Sequence, residues 1–328
     1  MKGITEMARR NKTRGKTVSR ALFDNAKEFF EQYGNDVTRN TYMKNYRKFI
    51  DYCRTNFNCK TKEECAEHIQ EYADCLKEKG YTPSTIHTYL APVCVYHDVS
   101  MDKVKKDLRR TAHYKRGRTN NEKTHRSDND TNNIKYQRSV DFQSAVGIRR
   151  AELSRLTGKD LVTDESGYLC VRVGRGKGGK LQLQRVLPQH YDMIKTYFND
   201  KKPDERIFTK EELNNKVSYH TLRAQNAQRC YEYYLNRLNF EDSYREQLTE
   251  EIIKRHQKYC IDKKTGKPKA FDYHEIQGFY HLRGANKQLA EVNGLPTKYD
   301  RLALMAVSIF HLSHWRNDVT VQSYILAI

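Results

Sequence analysis

The sequence predicts a mostly α-helical protein with a small antiparallel β-sheet, and three observations lead to this fold class. The chain has 328 residues, which at about 150 residues per domain suggests two domains. Apolar residues recur at helical spacing along most of the chain, whereas strand-like alternation surrounds only the glycine-rich stretch 174–179. The polar stretch 106–135 holds almost no large apolar side chains, so it reads as a linker between the two domains.

The first domain is predicted to be a bundle of four helices over residues 21–102. Its first two helices show apolar side chains at spacings of three and four residues. A single third helix begins at a capping box formed by Thr61 and Glu64, and the fourth begins with Thr82 as N-cap and Pro83 in its first turn. The apolar positions that mark the first two helices are Leu22, Ala26, Phe29, Phe30 and Tyr33, then Tyr42, Tyr46, Phe49, Cys53 and Phe57.

The second domain is predicted to occupy residues 136–328. A helix is expected across Val140–Leu156, followed by two antiparallel strands around the glycine-rich stretch and then by helices to the end. The apolar run Leu302–Phe310 is far shorter than the roughly 20 residues that a bilayer-spanning helix needs, so it predicts a buried helix and no membrane association. The basic N-terminal region contains no apolar stretch typical of a secretion signal, so we expect a cytoplasmic protein.

The positive charge of the chain is large and unevenly distributed. Sixty Lys and Arg residues against 41 Asp and Glu residues give a formal net charge of +19. Segments 1–20 and 103–126 carry net charges of +6 and +8, which predicts a basic arm and a basic linker over 103–135. Such segments can follow a phosphate backbone and release its counterions, so nucleic acid is the expected partner, with a merely solvated tail and linker as the alternative. The candidate DNA-binding residues are Arg9, Arg10, Lys12, Arg14, Lys105, Lys106, Arg109, Arg110, Lys115, Arg116 and Arg118.

The eight cysteines are expected to be free thiols. No C-x-x-C pair occurs, and five residues separate Cys53 from Cys59 and Cys59 from Cys65. This spacing differs from that of common structural zinc sites, so the sequence predicts no metal and no cofactor.

Two clusters early in the second domain place basic residues in arrangements that suit phosphate binding. Arg149 lies three residues before Glu152, so on a helix the carboxylate can hold the guanidinium as a fork, although an ordinary surface ion pair has the same spacing. Lys177 lies in Gly174–Lys180, which matches the first part of a nucleotide-binding P-loop but has Leu181 where that motif needs Ser or Thr. The alternating residues that follow predict a hairpin whose tip presents Lys177 either to a ligand or only to solvent.

Two later clusters supply histidines, an arginine and a tyrosine. His220 and Arg223 stand at positions i and i+3, so on one helix both side chains would project toward the same phosphate. His314 lies in a polar segment after the apolar run, and Tyr324 follows it by ten residues. A lone histidine near an apolar helix is more often structural than catalytic, and none of the 23 tyrosines is a nucleophile by default.

Taken in order, these clusters resemble the motifs of the tyrosine recombinase (phage integrase) family. The family's G-[LI]-R-x-x-E-L stands here as residues 147–153, its hairpin lysine as Lys177 and its H-x-L-R as residues 220–223. Its L-G-H stands as residues 312–314, with serine for glycine, and its terminal tyrosine as Tyr324. The helical region before the linker resembles the family's core-binding (SAM-like) domain, so the resemblance covers nearly the whole chain. The residues after the last histidine are most similar to integrases of integrative and conjugative elements.

The resemblance implies an α+β catalytic domain and a DNA strand-transfer reaction. Tyr324 would attack a phosphodiester to give a 3′-phosphotyrosyl bond, while Arg149 and Arg223 hold the non-bridging oxygens. Lys177 would protonate the leaving 5′-oxygen, and the motif histidines would assist proton transfer and orient the phosphate. The resemblance also implies double-stranded DNA with inverted-repeat core sites, a homotetramer on that DNA, a mobile genetic element as the source and association with the nucleoid.

Two departures from the family pattern leave alternatives for the site. Arg223 and His314 are 91 residues apart, farther than the family usually places them, which implies an insertion near 236–296. Arg283 lies inside this insertion and is the alternative to Arg223, which we prefer because it ends a complete H-x-L-R. Trp315 is the alternative to His314, because some family members use tryptophan at that position.

Other functions also remain compatible with the sequence. A non-catalytic DNA-binding regulator on the same scaffold would use the arginines only to grip phosphates. A type IB topoisomerase or a hairpin resolvase would share the chemistry and differ in the fate of the covalent intermediate. A P-loop NTPase would bind nucleotide through the glycine-rich stretch.

Overall fold

The structure, a computed structural model, describes residues 18–33, 35–107, 133–174, 181–213, 217–262 and 264–326. The chain divides into two compact units between Arg109 and Arg110, within the predicted linker. Helices predominate, and the described strands of the second unit form one three-stranded and one two-stranded antiparallel sheet. The predicted fold class, mostly α with a small antiparallel sheet, is therefore confirmed. None of the helices in these ranges is both long and apolar enough to cross a membrane.

Capping residues set the helix boundaries of the first unit. The Thr61 hydroxyl accepts from the Glu64 backbone N–H at 3.1 Å, and the Thr82 hydroxyl accepts from the Thr85 N–H at 3.3 Å, so both predicted caps are confirmed. The predicted single third helix is wrong, because the backbone leaves helical geometry at His68 (φ −103°, ψ 18°). The helices are α1 Val18–Glu31, α2 Asp36–Phe57, α3 Lys62–Glu67, α4 Ile69–Glu78 and α5 Pro83–Tyr96.

Aromatic side chains form much of the core of the first unit. Phe30, Tyr46 and Phe49, which the helical spacing places on the apolar faces of α1 and α2, are at most 1% exposed. Tyr46 packs edge-to-face on Tyr96 with ring centroids 4.9 Å apart, and its hydroxyl lies 3.1 Å from Nε2 of His97. These contacts join α1, α2 and the end of α5 into one packed bundle.

The second unit contains the remaining helices and both sheets. Its helices are α6 Ile134–Val146, α7 Arg150–Leu153, α8 Tyr191–Thr196, α9 Tyr219–Phe240, α10 Tyr244–Tyr259, α11 Gly284–Val292, α12 Arg301–Ala306 and α13 Asn317–Thr320. Its strands are β1 Leu161–Thr163, β2 Leu169–Val173, β3 Gln182–Arg185, β4 Phe279–His281 and β5 Lys298–Asp300. Two π-helical turns, Val307–His311 and Val321–Ile325, continue α12 and α13.

The predicted continuous helix over Val140–Leu156 is wrong, because the helix is interrupted between α6 and α7. Gly147 ends α6 in the left-handed conformation, with φ of 68°. A Cβ at this position would lie 2.6 Å from Nδ2 of Asn226, so α9 packs directly against the bare backbone. The break places Arg149 at the N-terminus of α7 instead of inside a longer helix.

The three-stranded sheet has the order β1-β2-β3, and all its pairs are antiparallel. Val173 pairs with Gln182, so the strands predicted on both sides of the glycine-rich stretch are confirmed. A P-loop needs a helix directly after its lysine, whereas here β3 begins at Gln182. The arrangement contradicts the nucleotide-binding interpretation of Gly174–Lys180.

Residues 236–296, where the sequence predicts an insertion, are packed into the second unit. Tyr244, Leu248 and Ile252 of α10 are at most 3% exposed and share a core with Tyr234 of α9 and with Phe310. Antiparallel pairing of β4 with β5 shows that the expectation of helices alone beyond the first sheet is wrong. The predicted buried helix over Leu302–Phe310 is confirmed as α12 and the π-helical turn that continues it.

Candidate active site

Arg149 stands at the break between α6 and α7, held by a carboxylate. Its backbone N–H donates to Oε2 of Glu152 at 2.9 Å, and its Nη1 donates to Oε1 at 2.6 Å. Glu152 is 3% exposed, whereas the Arg149 side chain keeps 31% exposure. A buried carboxylate thus fixes a guanidinium that still reaches solvent and can meet an anion there.

Arg223 lies in the second turn of α9 and is only 1% exposed. Its Nη1 donates to the Gly147 carbonyl and its Nη2 to the Leu312 carbonyl, the latter at 2.9 Å, while Nε has no hydrogen-bond partner among the described residues. Burial lowers the pKa of the Arg223 guanidinium, Tyr324 opposes the shift, and the charge of Arg149 adds to it. Arg223 therefore bridges the loops that carry the first arginine motif and the last histidine motif.

Tyr324 lies in the last described helical turn and is 7% exposed. Its ring centroid is 5.7 Å from that of His220 and 5.7 Å from that of His314, and Cζ of Arg223 lies 5.5 Å from it. Gln228 of α9 donates to the Tyr324 carbonyl at 3.3 Å and so helps hold this turn against α9. The structure brings residues from two other motifs, His220 with Arg223 and His314, around the Tyr324 ring.

His314 is positioned by Ser308, whose Oγ lies 3.2 Å from Nδ1 and 3.1 Å from the His314 carbonyl oxygen. The buried Nε2 has no hydrogen-bond partner among the described residues. Burial lowers the pKa of His314 to about 4, and the positive charges of Arg223, Arg149 and Arg316 contribute to the shift. The imidazole is therefore neutral near pH 7, and Nε2 is left for a ligand or a proton.

The backbone and the rings around His314 bear on the choice between it and Trp315. Ser313 has φ of 58°, a left-handed conformation that glycine adopts at lower cost. The Trp315 ring packs edge-to-face on His256 at 5.2 Å, whereas the His314 ring stacks on Tyr324. This geometry favours His314 as the residue beside the tyrosine.

Arg283, the alternative to Arg223, lies elsewhere on the second unit. It stands at the N-cap position of α11 and is exposed. Over the part of the chain that the structure describes, no hydrogen bond, ion pair or ring contact joins Arg283 to Tyr324 or to Arg149. The arrangement favours Arg223 as the second arginine of the candidate site.

Lys177 and most of the candidate DNA-binding residues lie outside the described residues, although the strands that flank Lys177 are described. Within the described ranges, the Lys105 backbone N–H donates to Oε1 of Gln70 at 2.8 Å. The Lys106 ammonium donates to the Met101 carbonyl at 2.6 Å. The candidates outside the described residues are Arg9, Arg10, Lys12, Arg14, Arg109, Arg110, Lys115, Arg116 and Arg118.

Gln184 is a buried residue behind the site that sequence patterns did not identify. Its amide Nε2 donates to the Val146 carbonyl at 2.8 Å and also to the His311 carbonyl. These carbonyls adjoin the two that Arg223 binds, so Gln184 and Arg223 tie the same two loops together. A glutamine on the inward face of the alternating segment Gln182–Arg185 was the available signal, since a buried amide needs partners.

His311 adds a buried neutral imidazole behind the site. It is 1% exposed, and its Nε2 lies 3.1 Å from the Tyr234 hydroxyl. Burial, with the positive charges of Arg185 and Arg255 contributing, lowers the pKa of His311 to about 3. His311 therefore stays unprotonated in the native protein at pH values where it is protonated in the unfolded chain.

We expect the free energy of unfolding to decrease as pH falls below about 6.5, where the unfolded chain protonates His311. Because the native pKa is about 3, this stabilisation is complete above about pH 6.5 and is lost at about 1.4 kcal/mol per pH unit below it. Urea unfolding between pH 7 and 4.5 measures the effect. His311→Gln should reduce the slope by about one proton, whereas exposed His281→Gln is the matched control and should keep it. Equal slopes for wild type and His311→Gln would contradict this account.

The gathered side chains suit chemistry on an anion. The positive charge of Arg149 lies near enough to Arg223 to help lower the pKa of its guanidinium, and arginine binds phosphate as a planar fork. The phenol of Tyr324 is a potential nucleophile, and His220 and His314 are acid–base groups in contact with its ring. Together these groups could bind an anion and act on it by nucleophilic attack and proton transfer.

Comparisons with known proteins add little to this geometry. No protein-family model matches the chain, and neither does any curated protein. Among solved structures, the chain is similar to one titled "Crystal structure of XerA recombinase", at 17% sequence identity over 64% of this chain and 84% of that one. The TM-score of 0.24 is too low to establish a common fold.

Proposed function

We propose that this protein is a site-specific DNA recombinase or integrase that cleaves and rejoins DNA through a 3′-phosphotyrosyl intermediate. One observation carries the proposal: the Tyr324 ring contacts His220, His314 and Arg223, residues that the sequence motifs nominated independently. If the motif matches were coincidental, these side chains would not be expected to meet around the tyrosine that the motif order selects. The fifth nominated residue, Arg149, lies close enough to Arg223 to lower its pKa.

In the proposed reaction, the Tyr324 oxygen attacks phosphorus and forms the O–P bond as the bond from phosphorus to the 5′-oxygen breaks. Arg149 and Arg223 stabilise the negative charge that develops on the non-bridging oxygens. Neutral His314 can accept a hydrogen bond or a proton near the phenol. Lys177 donates the proton that the leaving 5′-oxygen needs, and the covalent bond conserves the energy for rejoining.

The proposal extends to the substrate and the assembly. Double-stranded DNA with inverted-repeat core sites is the proposed substrate, bound by a homotetramer, and the gene is proposed to belong to an integrative and conjugative element. The net charge of +19 supports a polyanionic partner, and the basic arm and linker are proposed to grip its backbone. A type IB topoisomerase or hairpin resolvase would use the same site chemistry.

One observation favours a second candidate, a non-catalytic DNA-binding regulator. Both terminal nitrogens of Arg223 already donate to carbonyls, of Gly147 and Leu312, as in an arginine that only supports the structure. Each of these nitrogens carries a second N–H, however, and Nε has no hydrogen-bond partner among the described residues. The guanidinium can therefore hold the loops and still donate to a phosphate oxygen.

Covalent trapping on DNA separates the two candidates. Labelled duplexes tiled across the DNA that flanks the gene, with a nick placed to release the 5′-hydroxyl strand, should give an SDS-resistant protein–DNA adduct with at least one duplex. Mass spectrometry of the nuclease-treated adduct should place the phosphate on the peptide that contains Tyr324. If the protein binds the same duplexes but forms no adduct, it is the non-catalytic regulator instead.

A further inference from the structure

Three cysteine thiols converge in the core of the first unit, far in sequence from the residues of the candidate active site. The Sγ atoms of Cys53, Cys59 and Cys65 all lie within 4.8 Å of one another. The three residues are 0%, 2% and 0% exposed, and all are free thiols. They are the only three-membered group of His, Cys, Asp or Glu donors with such spacing in the part of the chain that the structure describes.

The local fold, not the sequence spacing, brings the thiols together. Cys53 lies in the last turns of α2, and Asn58 ends this helix in the left-handed conformation (φ 53°) and reverses the chain. The Cys59 N–H consequently points back to the Cys53 carbonyl at 3.5 Å. The capping box at Thr61 then starts α3, which places Cys65 on the buried side of that helix.

We propose that Cys53, Cys59 and Cys65 bind one thiophilic d¹⁰ metal ion, Zn²⁺ or Cu(I), through three thiolates. Two sulfur ligands at about 2.3 Å from a tetrahedral ion are about 3.8 Å apart, so closing the present cluster onto an ion requires shifts of an ångström or less. Soft thiolate donors select these ions over Mg²⁺ or Ca²⁺. From the five-residue spacing of these cysteines, the sequence predicts no metal site, and this proposal replaces that prediction.

The surroundings fit a site that holds negative charge. The half-buried Arg54 donates from Nη1 to the Cys59 carbonyl at 3.1 Å, which keeps a cation at the edge of the cluster. Three donors meet the coordination that Cu(I) accepts, whereas Zn²⁺ would take a fourth ligand. His68, three residues after Cys65, is the histidine candidate: its buried Nδ1 lacks a hydrogen bond among the described residues, although this atom lies 3.9 Å from Oε1 of Glu71 and His68 lies outside the thiol group.

Because the ligands come from two helices and the turn between them, metal binding should stabilise the first unit. An ion that binds only the folded protein raises the free energy of unfolding by RT ln(1 + L/Kd), where L is the concentration of free ion, and so raises the midpoint of unfolding. A group of buried thiols that only fills the core would show no such response. The two hypotheses therefore predict different behaviour for the same reduced protein.

The test uses the full chain, reduced and stripped of metal, titrated separately with Zn²⁺, with Cu(I) and with Cd²⁺ as a spectroscopic probe. We expect a thiolate-to-metal absorption band that saturates at one equivalent, a higher unfolding midpoint, and retention of Zn²⁺ or Cu(I) against a chromogenic chelator. Cu(I) retention alone would assign a three-coordinate site, and Zn²⁺ retention that His68→Ala weakens would assign a fourth ligand. Failure to retain either ion at one equivalent would overturn the proposal.

Matched variants identify the ligands. Cys59→Ser and Cys65→Ser should abolish the absorption band and the retention of the ion, whereas Cys75→Ser, in the same unit but outside the cluster, should change neither. Alkylation with iodoacetamide followed by peptide mass spectrometry needs no variant, and the metal should protect the three cluster cysteines selectively. Loss of the band in Cys75→Ser, or a band that both cluster variants retain, would overturn the proposal even if those variants fold poorly.

Discussion

Replacing Tyr324 with phenylalanine is expected to abolish covalent attachment to DNA and to leave DNA affinity almost unchanged. The substitution removes the oxygen that would attack phosphorus and changes no charge, while the ring that contacts His220 and His314 remains. Because the attacking oxygen is gone, adduct formation should fall by several orders of magnitude. The measurement is the SDS-resistant adduct on a nicked duplex, beside a gel-shift titration with the same DNA.

The control for this prediction is a tyrosine in the same unit that packs against the core. Tyr280 of β4 is half-buried and has no described ring contact with either motif histidine, so Tyr280→Phe should form the adduct at the wild-type rate. An adduct that persists in Tyr324→Phe and disappears in Tyr280→Phe would transfer the nucleophile to Tyr280. A loss of DNA binding together with the adduct would show that Tyr324 acts through structure instead.

Replacing Arg223 with alanine is expected to reduce DNA cleavage by several orders of magnitude, because a transition-state contact of this type contributes a few kcal/mol. The same change leaves the Gly147 and Leu312 carbonyls without their donor, so we also expect a loss of about 1–3 kcal/mol of stability. Single-turnover cleavage at saturating DNA, measured below the unfolding midpoint of the variant, separates the two effects. Arg223→Lys keeps the charge but loses the planar fork, and it should recover stability better than cleavage.

Arg283→Ala is the matched control for this experiment. Arg283 is exposed and makes no described contact with Tyr324 or Arg149, so its removal should change cleavage and stability only slightly. The opposite ranking, with Arg283 essential and Arg223 dispensable, would make the H-x-L-R at His220 a coincidence of helix composition. The catalytic helix would then begin near β4, and residues 220–270 would become an addition before it.

Much of the helical architecture follows from local chemistry that the sequence displays. Side-chain caps at Thr61 and Thr82 appear where the sequence predicts them, because a hydroxyl bonds a backbone N–H within three residues whatever the rest of the chain does. Helical spacing of Phe30, Tyr46 and Phe49 predicts their burial for the same reason, since one face of a helix must leave water. The antiparallel pairing of β2 with β3 likewise follows from the alternating residues on both sides of the glycine-rich stretch.

The candidate site divides differently between sequence and structure. Motif order nominates Arg149, Lys177, His220, Arg223, His314 and Tyr324, but each of these residue types also occurs in surface pairs and cores, so the nomination could not show which of them meet. The meeting of the described ones depends on contacts between residues 76 to 104 positions apart, including the Arg223 bonds to the Gly147 and Leu312 carbonyls. Such contacts have no period along the chain for a pattern to reveal.

Backbone reversals account for the features that sequence patterns missed. The left-handed backbone at Gly147 divides the predicted helix, with the Asn226 side chain of α9 close against it, and the reversal at Asn58 brings Cys53 and Cys59 together despite their five-residue spacing. The choice between Trp315 and His314 likewise turns on Ser313, whose left-handed backbone precedes the ring that stacks on Tyr324. Composition and spacing thus specify the fold class, the caps and the nominated residues, because these depend on neighbours within about one turn. Proximity of the nominated groups is set only when distant segments pack, and proximity of the three thiols depends on the left-handed turn at Asn58, because burial and such turns orient side chains that local propensity leaves free.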